Sequence, residues 1–147
     1  MNVVTTKSLP VAMIAALALS GCATARIDDG QRLALYQAHA GAPVSQVRYY
    51  DPIGWTRVDG QHVALEMRPN ETWLLTLSGP CLDWAGGSPF LKVVSSDGMT
   101  LSTFDRVQVP DSQMSCQIRE IRPLDTKAVR AAEKALRAQA KVQASGT

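Results

Sequence analysis

The sequence predicts a mainly β domain, a small antiparallel sandwich or barrel of about seven strands with a short N-terminal helix and a basic C-terminal helix. Three observations carry that reading. Short runs that alternate apolar and polar residues recur between residues 44 and 122, separated by turn pairs such as Asp59-Gly60 and Asp97-Gly98. The segments on either side follow helical spacing instead. Two cysteines, Cys81 and Cys116, lie far apart within the β-rich stretch.

In chain order, Asp28-Asp29 precede residues 31–40, with Gly41 and Pro43 behind them. Acid before and Gly then Pro after are helix punctuation, and predict a short helix. From Val44 the period becomes two. Val47 and Tyr49 alternate with Arg48 and Tyr50, and Trp55 and Arg57 with Thr56 and Val58. Residues 62–68 put Val63, Leu65 and Met67 on one face; after Pro69-Asn70-Glu71, Trp73, Leu75 and Leu77 share another. Residues 90–94 and 99–104 flank Asp97-Gly98 as a hairpin, and residues 116–122 form a last strand stopped by Pro123. The alternation assigns Val63, Leu65, Trp73, Leu75, Leu77, Phe90 and Ile118 to the core. Beyond Pro123, Asp125 or Thr126 can cap a helix running to about Ala144. On it Lys127, Arg130, Lys134, Arg137 and Lys141 fall within an arc of about 80°, opposite Val129, Ala132, Leu136 and Ala140.

A chain of 147 residues, 46% apolar and 19% charged, is neither a disordered tail nor a polytopic membrane protein, and holds one domain. Its 15 basic and 13 acidic residues conceal an asymmetry. Residues 123–147 carry 5 basic and 2 acidic side chains, whereas residues 22–122 carry 9 and 11.

The N-terminus reads as an address. Lys7 precedes an apolar stretch at residues 9–19, then Leu19-Ser20-Gly21-Cys22. That core is shorter than the roughly 20 residues a membrane-spanning helix needs, and fits a signal peptide. The four residues resemble the lipobox of bacterial lipoproteins, which implies cleavage before Cys22 and a lipid on its sulfur. Small Ser20 and Gly21 let a peptidase reach the backbone, and only a thiol forms the thioether. Two or more acyl chains make membrane attachment stable where one is marginal. Ala23 in place of Asp after the cysteine favours the outer membrane, periplasmic face, over the inner membrane. The expected organisation is a signal peptide at 1–21, a tether at 22–30, a β-rich domain with its short helix at 31–124 and a basic helix or tail at 125–147.

With Cys22 committed to lipid, Cys81 and Cys116 have one possible intramolecular pairing, and an oxidising periplasm favours it. The expected bridge contributes about 3–4 kcal/mol on the chain-entropy account. Their spacing is unlike the Cys-x-x-Cys of catalytic pairs.

Chemistry is thinly signalled. There is no Gly-x-Ser-x-Gly, no His-Glu-x-x-His and no Gly-Lys-Ser phosphate loop. His39 and His62 lack a second ligand at metal spacing, and Glu66 and Glu71 flank a turn, where carboxylates are solvated. No catalytic residue, metal, cofactor or nucleic-acid partner is expected. The candidates are binding features. Trp84, in a glycine-containing loop, is the aromatic most suited to stacking on a sugar or protein. The arc of Lys127, Arg130, Lys134, Arg137 and Lys141 suits anionic lipid, cell-wall carboxylates or an acidic envelope protein. The plainer reading of that helix is a solvated, alanine-rich segment packed by Val129 and Leu136, whose removal would cost little stability.

Gly41-x-Pro43-Val44, Trp55, Arg68-Pro69-Asn70-Glu71, residues 73–77, Gly79-Pro80-Cys81, Phe104-Asp105-Arg106-Val107 and Cys116-x-Ile118-x-Glu120-Ile121-Arg122-Pro123 together resemble a family of small proteobacterial lipoproteins whose domain has no known function. The likeness covers residues 41–125. It implies a periplasmic β-rich domain and carries no activity, substrate or catalytic residue. The leading expectation is a non-enzymatic envelope module attached to the membrane through Cys22; the alternative is an envelope hydrolase or other enzyme whose site is assembled from scattered residues such as His62, Glu66, Glu71 and Asp105.

Overall fold

The computed structural model describes residues 27–84, 91–109 and 114–145, without the side chains of Trp84 and residues 143–145. Helix α1 (Asp29–Ala38) begins two residues earlier than the punctuation suggested, because Asp28 and Gln31 form a capping box. The Gln31 amide donates to Asp28 Oδ1 at 2.8 Å. The strands are β1 (Gln46–Arg48), β2 (Gly54–Arg57), β3 (His62–Arg68), β4 (Glu71–Leu77), β5 (Lys92–Val94), β6 (Thr100–Ser102), β7 (Arg106–Gln108) and β8 (Ser115–Leu124). A 3-10 helix spans Cys81–Trp84, and α2 spans Thr126–Ser145. A curled six-stranded antiparallel sheet has the order β2-β3-β4-β8-β7-β5, and β1 pairs with β6 in a two-stranded sheet. The mainly β class with a helix at each end is thus the observed one.

Both faces of the central strands are covered. Val63, Leu65, Leu75, Leu77 and Ile118 line the inner core at no more than 2% exposure. Leu74 and Ala64, on the other face, are also buried, in a second cluster with Leu35, Tyr36, Leu124 and Val129 from the helices and their approaches. The sheet centre therefore departs from the simple in–out alternation read from sequence. Trp73 is only partly buried: its indole N–H reaches Glu71 Oε1 at 3.3 Å, and that polar contact keeps the ring at the margin. Phe90 lies outside the described residues.

Two turn expectations change. Asp97-Gly98 does turn the chain, but β5 pairs with β7 and β6 with β1, so it is a corner between sheets and not a hairpin. Asp97 Oδ1 accepts from the amides of Met99 (2.8 Å) and Thr100 (2.7 Å), and Gly98 takes a positive φ of 70°. The second change is at Pro123, which does not stop β8. The backbone N–H and C=O of one strand residue point to the same side, and the Pro123 carbonyl accepts from Gly41 N at 2.8 Å. The missing N–H therefore falls on the flank covered by residues 40–44, and the pairing of Trp73 with Pro123 in the β4–β8 ladder survives. A Cβ on Gly41 would sit 2.8 Å from Pro123 Cγ, so that close approach requires glycine.

Within its pairing with β4, between Ile118 and Glu120, strand β8 has one extra residue at Arg119, and residues 115–117 pair with β7. At that bend the Cys81–Cys116 disulfide ties the 3-10 helix to the start of β8, with Cα atoms 6.1 Å apart. Between β6 and β7, the buried Asp105 carboxylate accepts from Ser96 N (2.8 Å), Ser96 Oγ (2.6 Å), Ser102 N (2.7 Å) and Ser102 Oγ (3.0 Å). Burial alone would raise its pKa, but these donors hold it below the ordinary value.

Candidate functional site

The C-terminal helix is built onto the domain and not merely appended. Asp125 Oδ1 accepts from Lys127 N (3.1 Å) and Ala128 N (3.0 Å), so Asp125 is the cap. Its own amide donates to His39 O at 3.1 Å, which joins the start of α2 to the end of α1. Val129 is 3% exposed, and Ala132 and Leu136 pack on the same cluster. The first half of α2 therefore packs through Val129 and Leu136 as the plainer reading expected, and the burial of that face argues against its removal costing little stability. Tyr36 of α1 packs in the same cluster, and burial first, then the nearby Glu133 carboxylate, pushes its phenol pKa up. Glu133 also meets Arg137 at 3.8 Å.

This packing fixes the opposite face outward. Lys127, Arg130, Lys134, Arg137 and Lys141 are all exposed on it. Open space of about 410 Å³ runs beside Arg130, Glu133, Lys134, Arg137, Ala138 and Lys141, all on one helix face, which cannot enclose a small ligand. A crevice of about 80 Å³ between the helices and the sheet, lined by Tyr36, Trp55, Glu66, Thr72 and Arg130 among others, has room for little more than water.

The scattered polar residues stay scattered. Glu66 lines that crevice, whereas Glu71 bonds Trp73 at the β3–β4 turn. Asp105 is enclosed by its serines. His62 Nδ1 lies 2.8 Å from Asp59 Oδ1, which also accepts from the amides of Gln61 and His62, both at 2.7 Å. The Asp59 carboxyl would be raised by burial, but these contacts lower it. Among the described residues, no three His, Cys, Asp or Glu side chains come together as a metal would need, and no helix is long and apolar enough to cross a membrane. Cys22 lies outside the described residues, as does the Trp84 side chain.

Sequence reasoning missed two parts of this arrangement. The packing of Tyr36 with Val129 joins residues 93 positions apart and has no local signature. Val142, 70% exposed, was within reach of the helical wheel that found the basic arc.

Residues 5–140 match the family described as "Family of unknown function (DUF6491)". The chain belongs to that family. No curated protein and no solved structure matches it.

Proposed function

We propose that this member of the family is a lipid-anchored module of the bacterial envelope, held by Cys22 on the periplasmic face of the outer membrane and binding an anionic partner without catalysing a reaction. The observation that carries the binding reading is the construction of α2: buried Val129, with Ala132 and Leu136 beside it, packs the helix on Leu35 and Tyr36 in one rotation, and that rotation turns five basic side chains to solvent. Fixed cations lose less conformational freedom on binding than a floppy tail would. The lipobox and the disulfide, which suits an oxidising compartment, support the location.

The test is fractionation and capture in intact cells. After a high-salt wash wild type should float with outer membranes and Cys22→Ser should not; a photoreactive group at Arg137 should capture an anionic partner that one at Ile53, exposed just before β2, does not. Equal flotation, or equal capture from both positions, would defeat the proposal.

A hydrolase remains the second reading because a carboxylate on Nδ1, as Asp59 is on His62, is how an imidazole is oriented for proton transfer. The same carboxylate oxygen closes the Asp59–His62 turn, which accounts for the contact without catalysis. Loss of a hydrolytic activity in His62→Gln with unchanged melting would favour the enzyme.

A further inference from the structure

We propose that the exposed side of α2 lies on an anionic phospholipid bilayer, its basic arc against the headgroup phosphates and Val142 at the boundary with the acyl chains. This deepens the anchored reading above and rests on it for which bilayer is meant.

The first ground is the pattern beside the cations. At 100° per residue, Ala131, Ala135, Ala138 and Val142 fall in an arc of about 60° directly adjoining the basic one. All four are exposed, Val142 at 70%. Cell-wall carboxylates would use the cations alone. A basic arc with a contiguous apolar strip is the signature of a helix lying in a membrane interface, where long Lys and Arg stems reach the headgroups.

The second ground is direction. The Asp125–His39 bond and the packing of Tyr36 with Val129 in one cluster, taken together, make α2 run back along α1. Ten residues of α1 span about 15 Å and the 20 of α2 about 30 Å, so the distal half of α2 passes beyond the start of α1. That start is also where the chain arrives from Cys22, which is separated from Asp28 by at most about 20 Å of extended backbone. A bilayer held at Cys22 is therefore within reach of Arg137, Lys141 and Val142.

The third ground is charge. Two of the acids near this end are matched, Asp29 by Arg57 at 2.9 Å and Arg32 at 3.8 Å, and Asp83 by Arg57 at 2.8 Å, while Asp28 caps α1. Across α2 itself, five basic residues face one acid, Glu133.

The experiment places a polarity-sensitive fluorophore on Ala138→Cys in the lipid-anchored protein and reconstitutes it in vesicles of phosphatidylcholine alone or with about 30% phosphatidylglycerol. Emission should shift to the blue only with phosphatidylglycerol, and salt should weaken the shift. Lys134→Gln/Arg137→Gln/Lys141→Gln should weaken binding by roughly 100-fold and lose most of the shift at that lipid composition. Val142→Asp should reduce the shift and Val142→Leu preserve it, a difference that a purely ionic contact would not show. All these positions are exposed, and unchanged melting confirms that the fold is kept. Water-like emission in both vesicles, indifference to the triple variant, or a shift with purified cell-wall sacculi but none with phosphatidylglycerol would overturn the inference. Absence of acyl mass on Cys22 would sink the anchored reading alone, because the labelled chain added to preformed anionic vesicles still reports on α2.

Discussion

The Asp125 amide at the cap of α2 donates to the His39 carbonyl at the end of α1 at 3.1 Å, and this contact fixes where the second helix starts against the first. It lies against the cluster that holds Leu74 and Val129, so sheet packing and surface charge are parts of one construction. Tyr36→Ala should open the cluster between α1 and α2, cost about 3 kcal/mol and loosen α2 as read by hydrogen exchange across residues 129–136. Unchanged exchange there would show that Tyr36 does not hold the second helix.

Where α2 is cut should decide what is lost. Ending the chain after Ala138 leaves Val129, Ala132 and Leu136 in place and should change the melting temperature little, while removing Lys141 and Val142 from the outward face. Deleting residues 127–147 uncovers the second cluster and should lower it markedly; Val129→Ala alone should cost about 1–2 kcal/mol. Equal melting of the two truncations would mean that α2 does not pack in solution.

The helix and the central strands were legible in the sequence because their signals are local. Residues 62–68 alternate in one window and form β3 with those limits. The turn at Asp97-Gly98 was equally legible, but not that its flanking strands join different sheets, because partner choice depends on residues remote in the chain. Strand β7 has three residues, too few for a period, and is set by pairing with β5 and β8. Pro123 was misjudged for a similar reason: whether a strand tolerates proline depends on which neighbour its nitrogen faces. For the site, the charges of α2 could be counted, whereas the contacts that fix their orientation could not.

Reducing the Cys81–Cys116 bridge opens a loop with a sequence separation of 35 residues and should cost about 3–4 kcal/mol. For a domain of this size the melting temperature should fall by about 10 °C or more, in dithiothreitol or in Cys81→Ala/Cys116→Ala. Identical melting with and without reductant would show that the tie between the 3-10 helix and β8 does no stabilising work.

Asp105 should govern part of the acid limb. Its folded pKa lies below the unfolded value of about 3.9, so its contribution is complete above that pH and disappears as pH falls through the depressed folded value. Stability should hold from neutral pH to about 5 and drop below 4. Asp105→Asn should cost about 2–3 kcal/mol at neutral pH and make the drop shallower. A variant that retains the full wild-type acid drop would remove Asp105 from the account.

Gly41→Ala should push residues 40–44 off β8, since the new methyl meets the Pro123 ring, with a cost of about 1–2 kcal/mol. Faster exchange of the Gly41 and Val44 amides, which bond the Pro123 and Ile121 carbonyls, would locate the damage. Normal protection at both amides would contradict it.

The most direct test of the whole account is the intact mass of the protein taken from its native membrane. A chain starting at Cys22 and heavier by a diacylglyceryl group and an amide-linked acyl chain is the expected result. A chain that starts upstream of Cys22, or one with an unmodified thiol there, would contradict the anchor and the location built on it.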